Sequence, residues 1–456
     1  MTKYFSVFAG LLCMAFQANS GANTLFHYSS NDSLLVKSDF YTYFADRTMR
    51  IDYRHSGDDK TESFEMAKIA SEGSWAGRTN HLNDPWKLGL YFFEVKDAAS
   101  GKTIYSQGFC SVFGEWQTTA EAKAGVKTFN ETIRLPWPKN EVNVVLQKRD
   151  SLNRLVPVWN LTVNPVEYED LIPTRPSAFE PKVLLDNGDP KFKADIVILG
   201  DGYAENEDSL FWKDAQRFSD AFFSVEPFKS RIADFNVRAV LGKSTQSGIR
   251  LQRKDFYPDN LLKTSYYAFG IERYVLASDD WIVKDYASIV PYDFIVILMN
   301  SDKYGGGGIF NLYITAAAHS RASEYVMVHE MGHHIAGLAD EYYTSDVAYE
   351  PANTKVEPWE FNITALINPD SLKWRDLVAP GTPIPTPWNK VEYEQGGGNK
   401  VLLSDPAAGK VGAYEGANYL SKGMFRPEVN CIMIAGKEFC QVCKRGINRV
   451  LDLYCE

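Results

Sequence analysis

Residues Val326–Tyr343 read VMVHEMGHHIAGLADEYY, and this stretch holds three of the chain's seven histidines, three carboxylates and two tyrosines. Val328, Met331 and Ile335 recur at helical spacing, which predicts a helix with one buried face. Ser320 or Ser323 is expected to cap its start, and Gly337 to end it. On such a helix His329 and His333 lie one turn apart on one face, so two imidazole nitrogens can reach one zinc ion. Glu330 stands beside them, within reach of a water at that ion. His334 points about 100° away from His333 and reads as a packing residue. Asp340 and Glu341 follow the glycine stop closely, because three residues carry the backbone at most about 10 Å. Neighbours in an extended chain alternate, so one of these two carboxylates is expected to face the metal. The competing reading is a polar helix face at the surface, since HExxH also arises in unrelated proteins.

The surroundings of the stretch predict a mixed α/β region. ADIVILGDGY (194–203), FNVRAVL (235–241) and DFIVILMN (293–300) read as buried strands. Between them, Phe211, Ala215, Phe218 and Phe222 fall at helical spacing. Alternating strands and helices indicate an α/β arrangement. Residues 344–422 are irregular and rich in Pro, Gly and Asn, a composition expected of a functional wall or lid. Residues 23–170 differ: LGLYFFEVKD and TIYSQGF, then EVNVVLQKRD and LVPVWNLTV, form strand–turn–strand pairs with scarce helical period. They predict a β-sandwich. The proline-bearing stretch from 171 to 190 is expected to link the two parts.

The 456-residue chain has a formal net charge of -10 and no long basic block, which argues against a nucleic-acid partner. Residues 1–20 resemble an export signal: Lys3, an apolar run Tyr4–Phe16 too short to span a bilayer, and small residues to a cleavage site after Ser20. No later segment is long and apolar enough for stable membrane insertion. The protein is therefore expected to be secreted, periplasmic or at the cell surface, with the oligomeric state open. Beyond the signal lie Cys110, Cys431, Cys440, Cys443 and Cys455. Export permits disulfides, and those clustered at the C-terminus are expected to form one or two of them. Zinc at CQVC (440–443) is the alternative, but no second CxxC supplies the remaining ligands.

The pattern HExGH-x4-L-x-DEY resembles the IgA-peptidase-like family of zinc metallopeptidases, distant relatives of the metzincins. DIVILGDGY, FNITA, LKW, PTP, VGAYEGANY, FRPEVNCIM and FCQVC look like that family's blocks in order, from Ala194 to the end. The β-rich front resembles the family's N-terminal domain. The resemblance implies a metzincin-like zinc (Zn2+) peptidase domain over 191–456, with His329, His333 and an acidic third ligand. Metzincin spacing would put glycine at 336 and the third ligand at 339, yet both are alanine here. The turn is one residue longer, so Asp340 is assigned as third ligand, with Glu341 the alternative. Met433 resembles the methionine turn beneath the metal.

These readings combine into an α+β protein, a secreted zinc endopeptidase acting on a protein or peptide substrate. Glu330 serves as general base, and Tyr342, Tyr343 or Arg426 as donor to the oxyanion. The glycine-rich GGGGIFNLYITAA (305–317) is the candidate edge strand for substrate, and a flexible hairpin without substrate contact is the alternative. The rival readings are a non-enzymatic glycan- or protein-binding surface protein with a structural metal, and a zinc amidase acting on cell-wall material.

Overall fold

Alternation of apolar and polar residues builds the first part of the chain. In the computed structural model, residues 39–171, 179, 181–251, 256–344 and 353–455 are described. The expected signal at 1–20 lies outside them, as do residues 172–178 and 180 of the expected linker. Strands β1 (Phe44–Gly57), β2 (Glu62–Ser71), β3 (Tyr91–Asp97), β4 (Thr103–Phe109), β5 (Lys127–Pro138), β6 (Val142–Arg149) and β7 (Leu155–Val163) form two antiparallel sheets, ordered β2-β1-β5 and β4-β3-β6-β7. The expected pairs β3–β4 and β6–β7 are both present. Val142, Val144 and Leu146 turn inward on β6 while the residues between them do not. They share one hydrophobic cluster with Met49, Ile51 and Tyr53 of the other sheet.

The second part is organised by a six-stranded sheet. Its strands are β8 (Lys182–Leu185), β9 (Ala194–Ala204), β10 (Phe235–Ser244), β13 (Phe294–Met299), β14 (Gly306–Ile309) and β15 (Tyr313–Ala317), in the order β14-β15-β13-β9-β10-β8. The short pair β11 (Thr264–Ser265) and β12 (Leu276–Ala277) lies apart from it. β9, β10, β13 and β15 run parallel, and the edges β8 and β14 are antiparallel. Strand β8 falls within the stretch expected to be linker. Both faces of this sheet are covered, as parallel strands require. Ile196 and Ile198 face a cluster with Phe211, Phe218 and Met331, whereas Val197 and Leu199 face Val283, Ala287 and Tyr292. Phe211, Ala215, Phe218 and Phe222 are all buried on the helix Asp208–Phe222, as their spacing predicts.

The two parts meet across a buried polar network. Arg50 bonds Asp52 and Glu72 from its own part and Asp285 from the other. Glu72 also accepts from Arg134 at 2.7 Å and from the Tyr292 hydroxyl. The backbone N–H of Cys110 donates to Phe310 O at 2.9 Å, tying the β part to the end of β14. Residues Ser38–Glu456 cluster as one compact unit. No helix among the described residues is long and apolar enough to cross a membrane.

Two expectations are corrected. Neither Ser320 nor Ser323 caps the motif helix: it spans Ser323–Ala336, and the residue before it is Ala322, without a side-chain cap. The C-terminal disulfides do not form: Cys110, Cys431, Cys440, Cys443 and Cys455 are all free. Cys431 Sγ and Cys443 Sγ stand 3.7 Å apart, against about 2.05 Å for a disulfide.

Candidate metal centre

The motif helix closes on Gly337, whose left-handed backbone (φ 56°) admits glycine without strain. Gly337 N–H donates to His333 O and Leu338 N–H to Gly332 O, a paired closure that turns the chain back. Val328, Met331 and Ile335 face the core. Beneath the helix lies buried Met433. A Cβ at Gly332 would sit 3.0 Å from both Met433 Sδ and the Phe439 ring, a tight approach that favours glycine. His334 is buried, donating to Ile309 O and accepting from Ile295 N–H. Burial pushes its pKa down to about 3, so it is a neutral packing group.

The turn delivers Asp340, and not Glu341, to the two histidines. His329 Nε2 and His333 Nε2 are 3.1 Å apart, and Asp340 Oδ1 lies 3.0 Å from the first and 3.4 Å from the second. Ligands at about 2.0–2.1 Å from a tetrahedral ion are separated by about 3.3 Å, so this triangle has the dimensions of three such ligands. Asp340 Oδ1 has no hydrogen-bond partner among the described residues, although it is buried. The opposite imidazole nitrogens are engaged: His329 Nδ1 with Ile432 O at 3.0 Å, and His333 Nδ1 with Leu338 O. Nδ1–H donation to a carbonyl leaves each Nε2 lone pair aimed into the triangle. Tyr325 shares the Ile432 carbonyl, and Tyr419 donates to Asp340 Oδ2. These donors fit a divalent cation.

The electrostatics agree. Burial alone would raise the Asp340 carboxyl, but His333 and His329 hold it well below the usual carboxylate range. Burial lowers His333, yet Asp340 and Glu330 outweigh it and push its pKa up to about 9. Glu330 is raised by burial, with His329 and His333 opposing and Asp340 adding to the rise.

The triangle forms the floor of a cleft of about 480 Å3, a volume suited to a ligand. Glu330 and the glycines of β14 line it together with Trp359, Asn418 and Tyr419, so residues of the irregular segment form part of its wall. Strand β14 is the sheet edge beside Glu330: a Cβ on Gly308 would sit 2.7 Å from Glu330 O. Its outer edge is engaged at Gly306 by Arg273 and Val275, and at Phe310 by Cys110. Alternation leaves Gly308 facing outward between them.

Of the three expected donors, only Tyr342 lines the cleft. Burial and Asp340 raise its pKa, so it keeps its proton. Tyr343 bonds Glu394, and Arg426 is buried over Trp388 near Glu341. Sequence reasoning missed Arg273, Tyr419 and Glu115. Tyr419 ends a block already noted, VGAYEGANY, but nothing there links it to Asp340. Arg273 and Glu115 carry no signal, because only tertiary folding brings them to the cleft.

The family described as IgA Peptidase M64 matches residues 183–401 and 394–451. That described as Peptidase M64 N-terminus matches residues 39–160. No curated protein matches the chain.

Proposed function

The chain belongs to the IgA Peptidase M64 family, and from that premise we propose that it is an exported zinc endopeptidase with His329, His333 and Asp340 as metal ligands and Glu330 as general base. The observation that carries the reading is the triangle of two Nε2 atoms and Asp340 Oδ1 at tetrahedral spacing, with Glu330 beside it in one cleft. The two sheets sharing one core support the β-sandwich reading of the first part. The motif helix over the Met433 turn supports a metzincin-like second part.

A bound zinc supplies Lewis acidity, which lowers the pKa of a water towards roughly 7 and polarises the scissile carbonyl. Glu330 accepts a proton from the attacking water and returns it to the leaving nitrogen. Tyr342, held protonated, donates to the developing oxyanion, and the Arg273 guanidinium adds positive charge to the same wall. The outward N–H and C=O of Gly308 pair with the substrate main chain, which adds as a short strand beside β14. Met433 supports the floor without ligating.

The test is Glu330→Gln assayed on peptide libraries and folded proteins, with and without chelator. Wild type should cleave and lose cleavage with chelator, while the variant keeps its zinc and loses hydrolysis. Full peptidase activity in the variant would overturn the assignment. Hydrolysis confined to cell-wall amides would move the reading to an amidase.

A further inference from the structure

A second cluster lies behind the first. Cys431, Cys440, Cys443 and Glu341 are buried, and one donor atom from each lies within 4.8 Å of all the others. Cys431 Sγ is 3.7 Å from Cys443 Sγ. Glu341 Oε1 is 3.2 Å from Cys443 Sγ and 3.9 Å from Cys440 Sγ. Zinc–sulfur bonds of about 2.3 Å place tetrahedral sulfurs about 3.8 Å apart, and a sulfur–oxygen edge comes to about 3.6 Å. The observed separations bracket these values. Thus the two ligands that CQVC lacks come from Cys431, nine residues before Cys440, and from Glu341, 99 residues before it.

We propose that these four residues form a closed structural zinc site, distinct from the cleft and independent of the peptidase reading. A carboxylate buried among three thiols is costly without a cation, and Glu341 Oε2 has no hydrogen-bond partner among the described residues. The surroundings suit thiolate ligation. Cys440 N–H donates to Cys431 Sγ at 3.2 Å, and Cys443 N–H to Cys440 Sγ at 3.4 Å. Cys440 caps the helix Gln441–Leu451, whose positive end favours thiolates. Asn362 donates to Glu341 Oε1 at 3.0 Å while its amide clamps both the N–H and the carbonyl of Ala339. Three thiolates and a carboxylate around Zn2+ leave the site net negative, and the buried Arg426 guanidinium near Glu341 offsets that charge. None of the four ligands lines the cleft, and no position is left for water, which marks a structural site.

The two clusters are joined twice through adjacent residues. Asp340 belongs to the first and Glu341 to the second. Cys431 belongs to the second, and its neighbour Ile432 offers the carbonyl that orients His329. Glu341 N–H also donates to Met433 O at 2.7 Å. A zinc in the second site therefore staples the loop carrying Asp340 to the turn that aims His329.

The experiment is metal analysis and zinc X-ray absorption on the purified chain and on His333→Ala, with intact-mass mapping of the thiols. We expect about two zinc ions per wild-type chain, one for each site. His333→Ala should lose one zinc and keep the other in a sulfur-rich shell, with Cys431, Cys440 and Cys443 alkylated only after chelation. If that variant does not fold, the wild-type spectrum alone decides: sulfur scattering supports the site, and a shell of nitrogen and oxygen only overturns it. A disulfide among the three cysteines, or iron in place of zinc, also overturns it. Failure of the first site would instead leave sulfur-bound zinc in a chain without chelator-sensitive peptidase activity.

Discussion

Tyr342 follows Glu341, so one short loop supplies the Asp340 carboxylate, the Glu341 carboxylate and a cleft hydroxyl in succession. Tyr342 lies against the His329 ring at a centroid distance of 6.4 Å, in near-parallel planes. Its neutral O–H donates more strongly as negative charge develops on the substrate, so its loss should act on turnover. We expect Tyr342→Phe to lower kcat by about 10²-fold, the lower end for removing one oxyanion donor, with zinc content unchanged. Steady-state kinetics with metal analysis checks this; a change confined to KM would show that the hydroxyl only binds substrate.

Among the elements, those with local periodicity were legible in the sequence. Phe211, Ala215, Phe218 and Phe222 announce their helix by spacing alone, and the β3–β4 and β6–β7 hairpins follow from alternation. The motif helix was legible for the same reason, since Val328, Met331 and Ile335 mark its buried face and Gly337 its end. What could not be read was non-local. The Ile432 carbonyl on His329 and the Tyr419 hydroxyl on Asp340 leave no local pattern. Glu341 beside three cysteines joins residues about a hundred positions apart, so counting ligands near CQVC pointed to disulfides instead. His55 on β1 is another such case. Burial lowers its pKa, but Glu131 at 2.8 Å and Glu62 at 3.1 Å outweigh this and the net shift is upward. The folded state therefore holds this proton more tightly than the unfolded chain. The resulting stability is complete below the unfolded pKa of about 6.5 and is lost as pH rises through the higher folded value. Thermal unfolding from about pH 6 to about pH 9 should show this decline in wild type and a weaker one in His55→Gln. Parallel curves for the two proteins would exclude the coupling.

At the scale of the whole molecule, the β part does more than precede the peptidase part. Leu90, Cys110, Glu115 and Thr118 line the cleft, and Glu115 takes a hydrogen bond from Tyr274. Burial raises the Glu115 pKa to about 7, with His333 and Tyr274 opposing and Glu330 adding. The two parts are joined by the buried network around Glu72. Removing that carboxylate leaves Arg50 and Arg134 short of a partner, so Glu72→Ala should cost about 3–5 kcal/mol in chemical denaturation. A loss under about 1 kcal/mol, the range of an exposed pair, would show that the network is dispensable. The Ile432 carbonyl on His329 bears on biosynthesis. A ribosome releases HEMGH roughly a hundred residues before it releases the group that aims the first histidine. A nascent chain therefore carries the motif before the carbonyl that orients its first histidine, and assembly of the triangle waits for Ile432. A chain truncated before Cys431 should accordingly bind zinc weakly and cleave nothing, and metal analysis of that fragment would reveal any premature activity at its source.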